Sequence, residues 1–234
     1  MNIAELESKY HYQFPPLYRR LWEDGMLDWM GGRTTPFEEG ENWAKSIYPL
    51  IKENPPLLLH TGGFDFELLT AEKIVNFKFD EFWDIEKHTF IPFARLEEGA
   101  TFAFYTNLEY DGQSVIVCIW NDMNETEVLA KNFEDFIFRK MLEAVYDVDK
   151  EELSGDYTGE DIFGQYREDI RNDLKTIKPY LNASYGAILE EIYHRDEVIE
   201  SLISFSLLSR DELQSLVDTH LSFPELDAVF EHEI

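Results

Sequence analysis

The stretch from Phe90 to Met141 constrains this chain most. Phe90-Ile91-Pro92-Phe93-Ala94 reads as a buried strand, and Thr101-Phe102-Ala103-Phe104-Tyr105 alternates with period two. That alternation is the pattern of a sheet strand with one covered face. Asp111-Gly112 marks a turn. Val115 to Trp120 is apolar at odd and even positions alike, which places this strand centrally. Asn121-Asp122-Met123-Asn124 turns the chain again, and Glu127 to Ala130 reads as a last short strand. Asn132 is set to cap a helix whose inward stripe is Phe133, Phe136, Ile137, Met141 and Leu142. Strands joined by such tight turns pair antiparallel.

The segments before this unit supply cover for it. Ile3, Leu6 and Tyr10 share one face of a helix over Ile3–Tyr10. Phe14-Pro15-Pro16 stops the chain and restarts it, because proline suits the first turn of a helix. Leu17, Tyr18, Leu21 and Trp22 form the stripe of that second helix, which ends near Gly25. A short helix is expected over Asn42–Lys52, with Trp43, Ile47 and Leu50 inward, before Pro55-Pro56 breaks it. Phe66 to Leu69 reads as a strand, and Thr70 caps a short helix beginning at Ala71. Phe77, Phe79, Phe82 and Trp83 form an aromatic cluster. Trp22, Trp43, Trp83 and Trp120 are expected in the core and Trp29 partly exposed.

After residue 146 the composition shifts. Residues 147–159 are acidic and contain Gly155 and Gly159, the pattern of a linker. Beyond it the strand signature vanishes, and 160–234 reads as a helical extension. Ile162, Tyr166, Ile170, Leu174 and Ile177 make an amphipathic helix that Pro179 ends. Ala187 to Leu208 reads as helical with a break at Arg195-Asp196. Ser209-Arg210-Asp211-Glu212 is a capping box for a further helix, and Leu226 to Ile234 fits one or two more turns. Such an extension can enlarge a binding face or mediate self-association.

Charge limits the partners. The 234-residue chain carries a formal net charge of -28, which opposes binding to nucleic acid and to anionic membranes and attracts basic proteins. Its single cysteine, Cys118, lies in an apolar run and reads as a packed core thiol. The amino terminus lacks a basic region followed by an apolar run, and no apolar stretch approaches the ~20 residues that span a bilayer, so a cytoplasmic protein is expected.

No catalytic set stands out. There is no nucleophile elbow, phosphate loop, zinc-finger spacing or dinucleotide turn. His60 with Asp65, and Glu190 with His194 and Glu197, are the candidates for catalysis or metal binding. A strand end and a solvated charged helix face explain them more simply. The expectation is a protein without enzymatic activity, cofactor or metal.

The order of landmarks carries a resemblance. Ile3-x-x-Leu6-Glu7, Phe14-Pro15-x-x-Tyr18-x-x-Leu21 and Gly25 are followed by Phe66-Glu67-Leu68-Leu69, Phe90-Ile91-Pro92-Phe93-Ala94, Ser114-Val115-Ile116-Val117 and Asn132-Phe133-Glu134-Asp135-Phe136-Ile137. This series resembles the SUKH superfamily over residues 1–145, with a domain expected over 1–146. Phe14 stands where the family usually has Leu, Glu23-Asp24-Gly25 lacks the usual Asn before Gly, and the tail has no counterpart. The resemblance implies an α+β fold with helices around a curved, mostly antiparallel sheet. It also implies an interaction protein: a bacterial immunity protein that blocks a toxin, a nuclease among the candidates, or a regulatory scaffold like the fungal members. It places partner contacts on a rim of loops and strand ends, where Asp65, Glu67, Glu97, Glu98, Asp111 and Asp122 are the candidate binding residues.

Overall fold

The computed structural model describes residues 2–30, 32–33, 37–60, 66–96, 99–157 and 159–234, without the side chains of Gly155 and Asp156. Helices α1 (Ile3–Tyr10), α2 (Pro16–Glu23), α3 (Trp43–Ser46) and α4 (Tyr48–Ile51) precede strand β1 (Phe66–Leu68) and helix α5 (Ala71–Asn76). Strands β2 (Phe90–Leu96), β3 (Ala100–Tyr110), β4 (Gln113–Trp120) and β5 (Glu125–Ala130) lead into α6 (Phe133–Glu143). Then come β6 (Val148–Asp149), α7 (Lys150–Asp156), α8 (Ile162–Ile177), α9 (Ala183–Tyr193), β7 (Ile199–Glu200), β8 (Ser204–Ser206), α10 (Arg210–His220) and β9 (Val229–Phe230). The class is α+β, as expected. The chain forms two compact units, one of residues 1–20, 65–139 and 215–234, the other of 21–64 and 140–214.

The first unit is built on a six-stranded antiparallel sheet in the order β1-β2-β3-β4-β5-β9. Its β3–β4 turn has Asp111 at φ 50° and Gly112 at φ 73°, the left-handed pair that a two-residue hairpin needs to follow the sheet twist. Pro92 stands beside the bulge at Phe93 and beyond the last β1 pair, Leu68 with Ala94, where its missing N–H breaks no ladder to β1. Residues Ser114 to Ile119 of β4 are all buried, so both faces of the sheet are covered.

One face carries Phe93, Phe102 and Phe104, which meet Tyr18 of α2 and Phe133 and Phe136 of α6. Phe104 is enclosed by the rings of Tyr12, Phe14, Tyr18, Phe93 and Phe133 at 4.9–5.9 Å. The other face carries Phe90, Ala103, Val115, Val117, Ile119 and Val128, packed with Trp83, Phe79, Tyr105, Phe223 and Phe230. Part of that cover comes from residues 223–230; one or two helical turns were expected over 226–234. Instead Thr126 pairs with Phe230 and Glu127 with Val229. A two-residue strand whose partner lies about a hundred positions earlier leaves no local periodicity to read.

The second unit is mostly helical. Residues 148–156 of the expected acidic linker are ordered as β6 and α7, with Asp149 capping the helix by accepting from the Glu151 and Glu152 amides. The inward face of α8 is Phe163, Tyr166, Ile170, Asp173, Leu174 and Ile177, so Phe163 replaces Ile162 in the predicted stripe. Tyr166 and Tyr193 donate their hydroxyls to the carbonyls of Ala144 and Met141, each at 2.8 Å, which satisfies acceptors that the end of α6 leaves open. α9 stops at Tyr193, just before the break expected at Arg195-Asp196, but beyond it β7 and β8 replace the expected helix and form a three-stranded sheet with β6. Asn42 to Lys52 is split into α3 and α4, and Leu50 is 81% exposed rather than inward. Among the tryptophans only Trp83 is fully buried; Trp22, Trp29, Trp43 and Trp120 are half-buried.

Two outcomes test this packing. Phe104→Ala should cost about 3–5 kcal/mol in urea unfolding, because the ring cage cannot collapse around the loss. Asp173 is 2% exposed and accepts the Leu58 amide at 3.1 Å. Burial raises its pKa well above the usual carboxylate value, while the Leu58 bond opposes the shift. The folded state therefore holds a proton that the unfolded state releases above about pH 4, and stability falls as pH rises from there through the folded pKa. Asp173→Asn keeps an acceptor and cannot ionise, so its thermal midpoint should gain on the wild type steadily between pH 5 and pH 8.

Candidate functional site

The antiparallel order assigns each predicted rim residue to an end of the sheet. The β4–β5 turn, with Asp122 exposed, stands at one end. The β3–β4 turn stands at the other, so Asp111 is separated from Asp122 by the length of β4, about 25 Å. A single rim holding both does not exist. Asp111 has a conformational reason for its identity, since it tolerates the left-handed φ that the hairpin requires.

Glu67 lies at the Asp122 end, in the register row Glu67–Arg95–Thr101–Ile119–Thr126, but three strand spacings from β4, about 14 Å. Its carboxylate is held by Lys73 and by Arg95, the latter at 2.5 Å, so much of its charge is compensated. Asp65, Glu97 and Glu98 lie outside the described residues.

Around Asp122 three segments converge within the first unit. Asn124 Oδ1 accepts the amides of His232 and Glu233, each at 2.8 Å. The His232 carbonyl accepts the Asp84 amide at 2.7 Å, and the Phe82 carbonyl accepts the Ile234 amide at 2.9 Å. Trp83 and Glu233 form an isolated antiparallel bridge. Asp80 Oδ1 accepts the Phe82 amide at 3.1 Å, a side-chain turn that sends Phe82 outward while Trp83 goes in. The aromatic cluster expected from residues 77–83 thus forms without Phe82: Phe77, Phe79 and Trp83 pack at 5.1–5.2 Å.

The resulting surface has apolar anchors in an acidic field. Phe82 is 61% exposed, Ile85 59%, Met123 46% and Ile234 94%. Asp80, Glu81, Glu86, Asp122, Glu125, Glu231 and Glu233 are exposed among them, against Lys78 and Lys87. Beside them opens a pocket of ≈ 320 Å³ lined by Phe77, Lys78, Phe79, Asp80, Trp83 and Asn121. Apolar anchors surrounded by charge are the anatomy of a protein-binding surface, with the anchors supplying affinity and the charges orientation. Sequence reasoning missed Phe82, Met123 and Ile234. The one local signal is Asp80-Glu81-Phe82-Trp83-Asp84, an aromatic pair set inside acids, of which only one ring can point inward.

Two histidines pin the C-terminal strand beneath this surface. His232 is fully buried, with Nδ1 at 3.0 Å from Thr126 Oγ1 and its ring 4.9 Å from that of Trp83. His88 is 5% exposed; its Nδ1 lies 2.9 Å from the Tyr105 hydroxyl and its ring stacks on Phe230 at 5.2 Å. Burial lowers both pKa values. Lys87 adds to the shift of His88, while Asp84 and the Glu231 backbone oppose it; for His232, Glu233 opposes burial and His88 adds to it.

Of the other titratable candidates, Asp65, the expected partner of His60, lies outside the described residues, and Glu190 meets His194. The ring of His60 lies edge-on to Tyr166 at 5.5 Å, and burial lowers its pKa to about 4. Glu190 pairs with Lys178 at 2.7 Å and with His194 at 3.6 Å. Among the described residues no group of three or more His, Cys, Asp or Glu is placed to hold a metal ion. No helix is long and apolar enough to cross a membrane among those residues.

The SMI1 / KNR4 family (SUKH-1) matches residues 2–139. That is more than half of the chain, and it covers the sheet from β1 to β5 and most of α6. The chain belongs to this family. No curated protein and no solved structure shows a significant match. The match ends before the C-terminal strand, so Phe230, His232 and Ile234 are additions to the part that the family defines.

The histidine pair makes the strand acid-sensitive. Unfolded histidines take up protons near pH 6.5, whereas these two do so only at lower pH. Stability is therefore lost as pH falls from about 6.5 through their folded pKa values. Amide exchange at residues 228–234, corrected for intrinsic rates, should accelerate between pH 7.5 and pH 5.5 while the amides of α6 keep their protection.

Proposed function

We propose that this protein is an immunity protein: a non-enzymatic, cytoplasmic binding protein that neutralises a basic toxin domain. The carrying observation is the acidic surface around Phe82, Met123 and Ile234. A nuclease fits as the partner, because a site that holds phosphates is basic and carboxylates can occupy it. The net charge of -28 would speed the encounter and make it salt-dependent. Membership of a family of protein-binding domains supports the same reading. In the site, Asp122 lies beside the anchors, Asp65, Glu97 and Glu98 remain candidates for the same rim, and Glu67 contributes less because its charge is compensated. Asp111 belongs to a different end of the sheet.

The test is rescue and complex formation. The carboxy-terminal domain encoded immediately upstream is expressed in a sensitive host, alone and with this protein. The wild type should restore growth, co-purify, and lose about tenfold or more in affinity between 50 and 500 mM salt. Phe82→Ala combined with Asp122→Lys should abolish rescue with little change in thermal midpoint, since both side chains are exposed. Asp111→Lys should rescue like the wild type. Toxicity without rescue would overturn the reading and leave the regulatory-scaffold alternative, whereas a double variant that still protects would remove the surface around Phe82 from the site.

A further inference from the structure

A second exposed feature belongs to the other unit. The β7–β8 hairpin pairs Ile199 with Ser206 and Glu200 with Phe205, and the Ser201 amide donates to the Ser204 carbonyl at 2.9 Å. The loop between them is only Leu202-Ile203. Leu202 is 98% exposed, Ile203 71% and Ile199 49%.

Turn chemistry does not explain these residues. Two-residue hairpin loops favour Asn-Gly or Asp-Gly, as this chain uses at Asp111-Gly112. Leu202 and Ile203 have neither the small side chains nor the positive φ of such a loop. The tip is held from outside instead. Ser201 Oγ accepts the amides of Ile203 at 3.2 Å and Ser204 at 2.9 Å. Lys150 donates its backbone amide to the Ile203 carbonyl at 2.9 Å and its ammonium to the Ser201 carbonyl at 2.6 Å. That ammonium also pairs with Glu200 at 2.7 Å and lies over the Phe205 ring at 4.3 Å. Two branched apolar side chains are thus fixed in solvent by groups that do not bury them. Preorganised apolar anchors lose little freedom on binding.

Charge selects the occupant. Asp196, Glu197 and Glu200 approach the loop from one side, and Glu151 and Glu152 follow Lys150 on the other, all exposed. A second copy would set these acids against their own kind, and an anionic membrane would repel a chain at -28. We propose that the β7–β8 hairpin is a docking finger whose Leu202 and Ile203 enter an apolar pocket on a partner protein with a basic rim. The hairpin belongs to a different unit from Phe82, and its test does not depend on the toxin reading.

The probe is a phage-displayed library of random 12-residue peptides, panned on the full wild-type chain in 50 mM salt and counter-selected on Leu202→Ser/Ile203→Ser. Both substitutions are at the surface, so the variant should melt with the wild type. Enriched peptides should carry Lys or Arg on either side of apolar or aromatic residues. Their affinity should fall about tenfold or more in the Ser/Ser variant, the scale of a lost anchor. Asp196→Lys/Glu197→Lys should weaken them several-fold and flatten their salt dependence. The proposal is overturned if no enriched peptide distinguishes the Ser/Ser variant, or if the discriminating peptides ignore the charge reversal. It is equally overturned if light scattering shows a wild-type oligomer that the Ser/Ser variant dissolves, for then the occupant is a second copy.

Discussion

The structure of the first unit depends on burying strand β4 from both sides. Ser114 to Ile119 cannot meet water on either face, so each face of the sheet needs its own apolar layer. On one side Tyr18, Phe133 and Phe136 supply it with rings that interlock around Phe93 and Phe104. On the other side the cover is assembled from two segments far apart in sequence, the loop around Trp83 and the C-terminal residues from Phe223 to His232. Arg139 fastens the second segment through Asp227 at 2.7 Å, and the Tyr110 hydroxyl donates to Glu225. The exposed surface follows from this construction. Both covering segments pass beside the β4–β5 turn, and Phe82 and Ile234 stay outside the layers they form.

Most of this was legible where the signal is local. The strands β2 to β5, the α6 stripe, the Thr70 cap and the Ser209–Glu212 capping box all depend on residues within a few positions of each other. The misses depend on distance. β9 exists only because β5 offers an open edge. β7 and β8 were mistaken for helix because Val198, Ile199, Leu202, Ile203 and Phe205 fall at spacings that suit an amphipathic helix as well as a hairpin. Within the hairpin, Ser201 Oγ takes the amides of Ile203 and Ser204, which a helix would have directed to backbone carbonyls.

Among the predicted rim residues, Asp111 and Asp122 part for a different reason: each lies next to a strand, but at opposite ends of the sheet. In a meander successive turns alternate between ends, so the turns at Asp111 and Asp122 oppose each other whatever the details of register. That much was deducible from the strand order alone. The apolar anchors were not, because the outward direction of Phe82 and the inward direction of Trp83 are decided by Asp80 and by the arrival of Glu233.

Charge then decides what such a surface can accept. At least ten of the 20 basic side chains are engaged in ion pairs with carboxylates of the same chain: Arg19, Arg33, Lys73, Arg95, Lys131, Arg139, Lys140, Lys150, Lys178 and Arg195. Pairs of this kind add little to stability when exposed, but they withdraw positive charge from the outer surface. The 48 acidic residues cannot all be answered this way, so the excess stands in the open. Excess charge of one sign opposes close approach by other anions and so limits indiscriminate association through the exposed apolar residues. On the proposed reading, the partner that buries Phe82, Met123 and Ile234 is one that brings compensating positive charge. The same carboxylates that cost the folded chain self-repulsion would, on that reading, also act as its filter for partners.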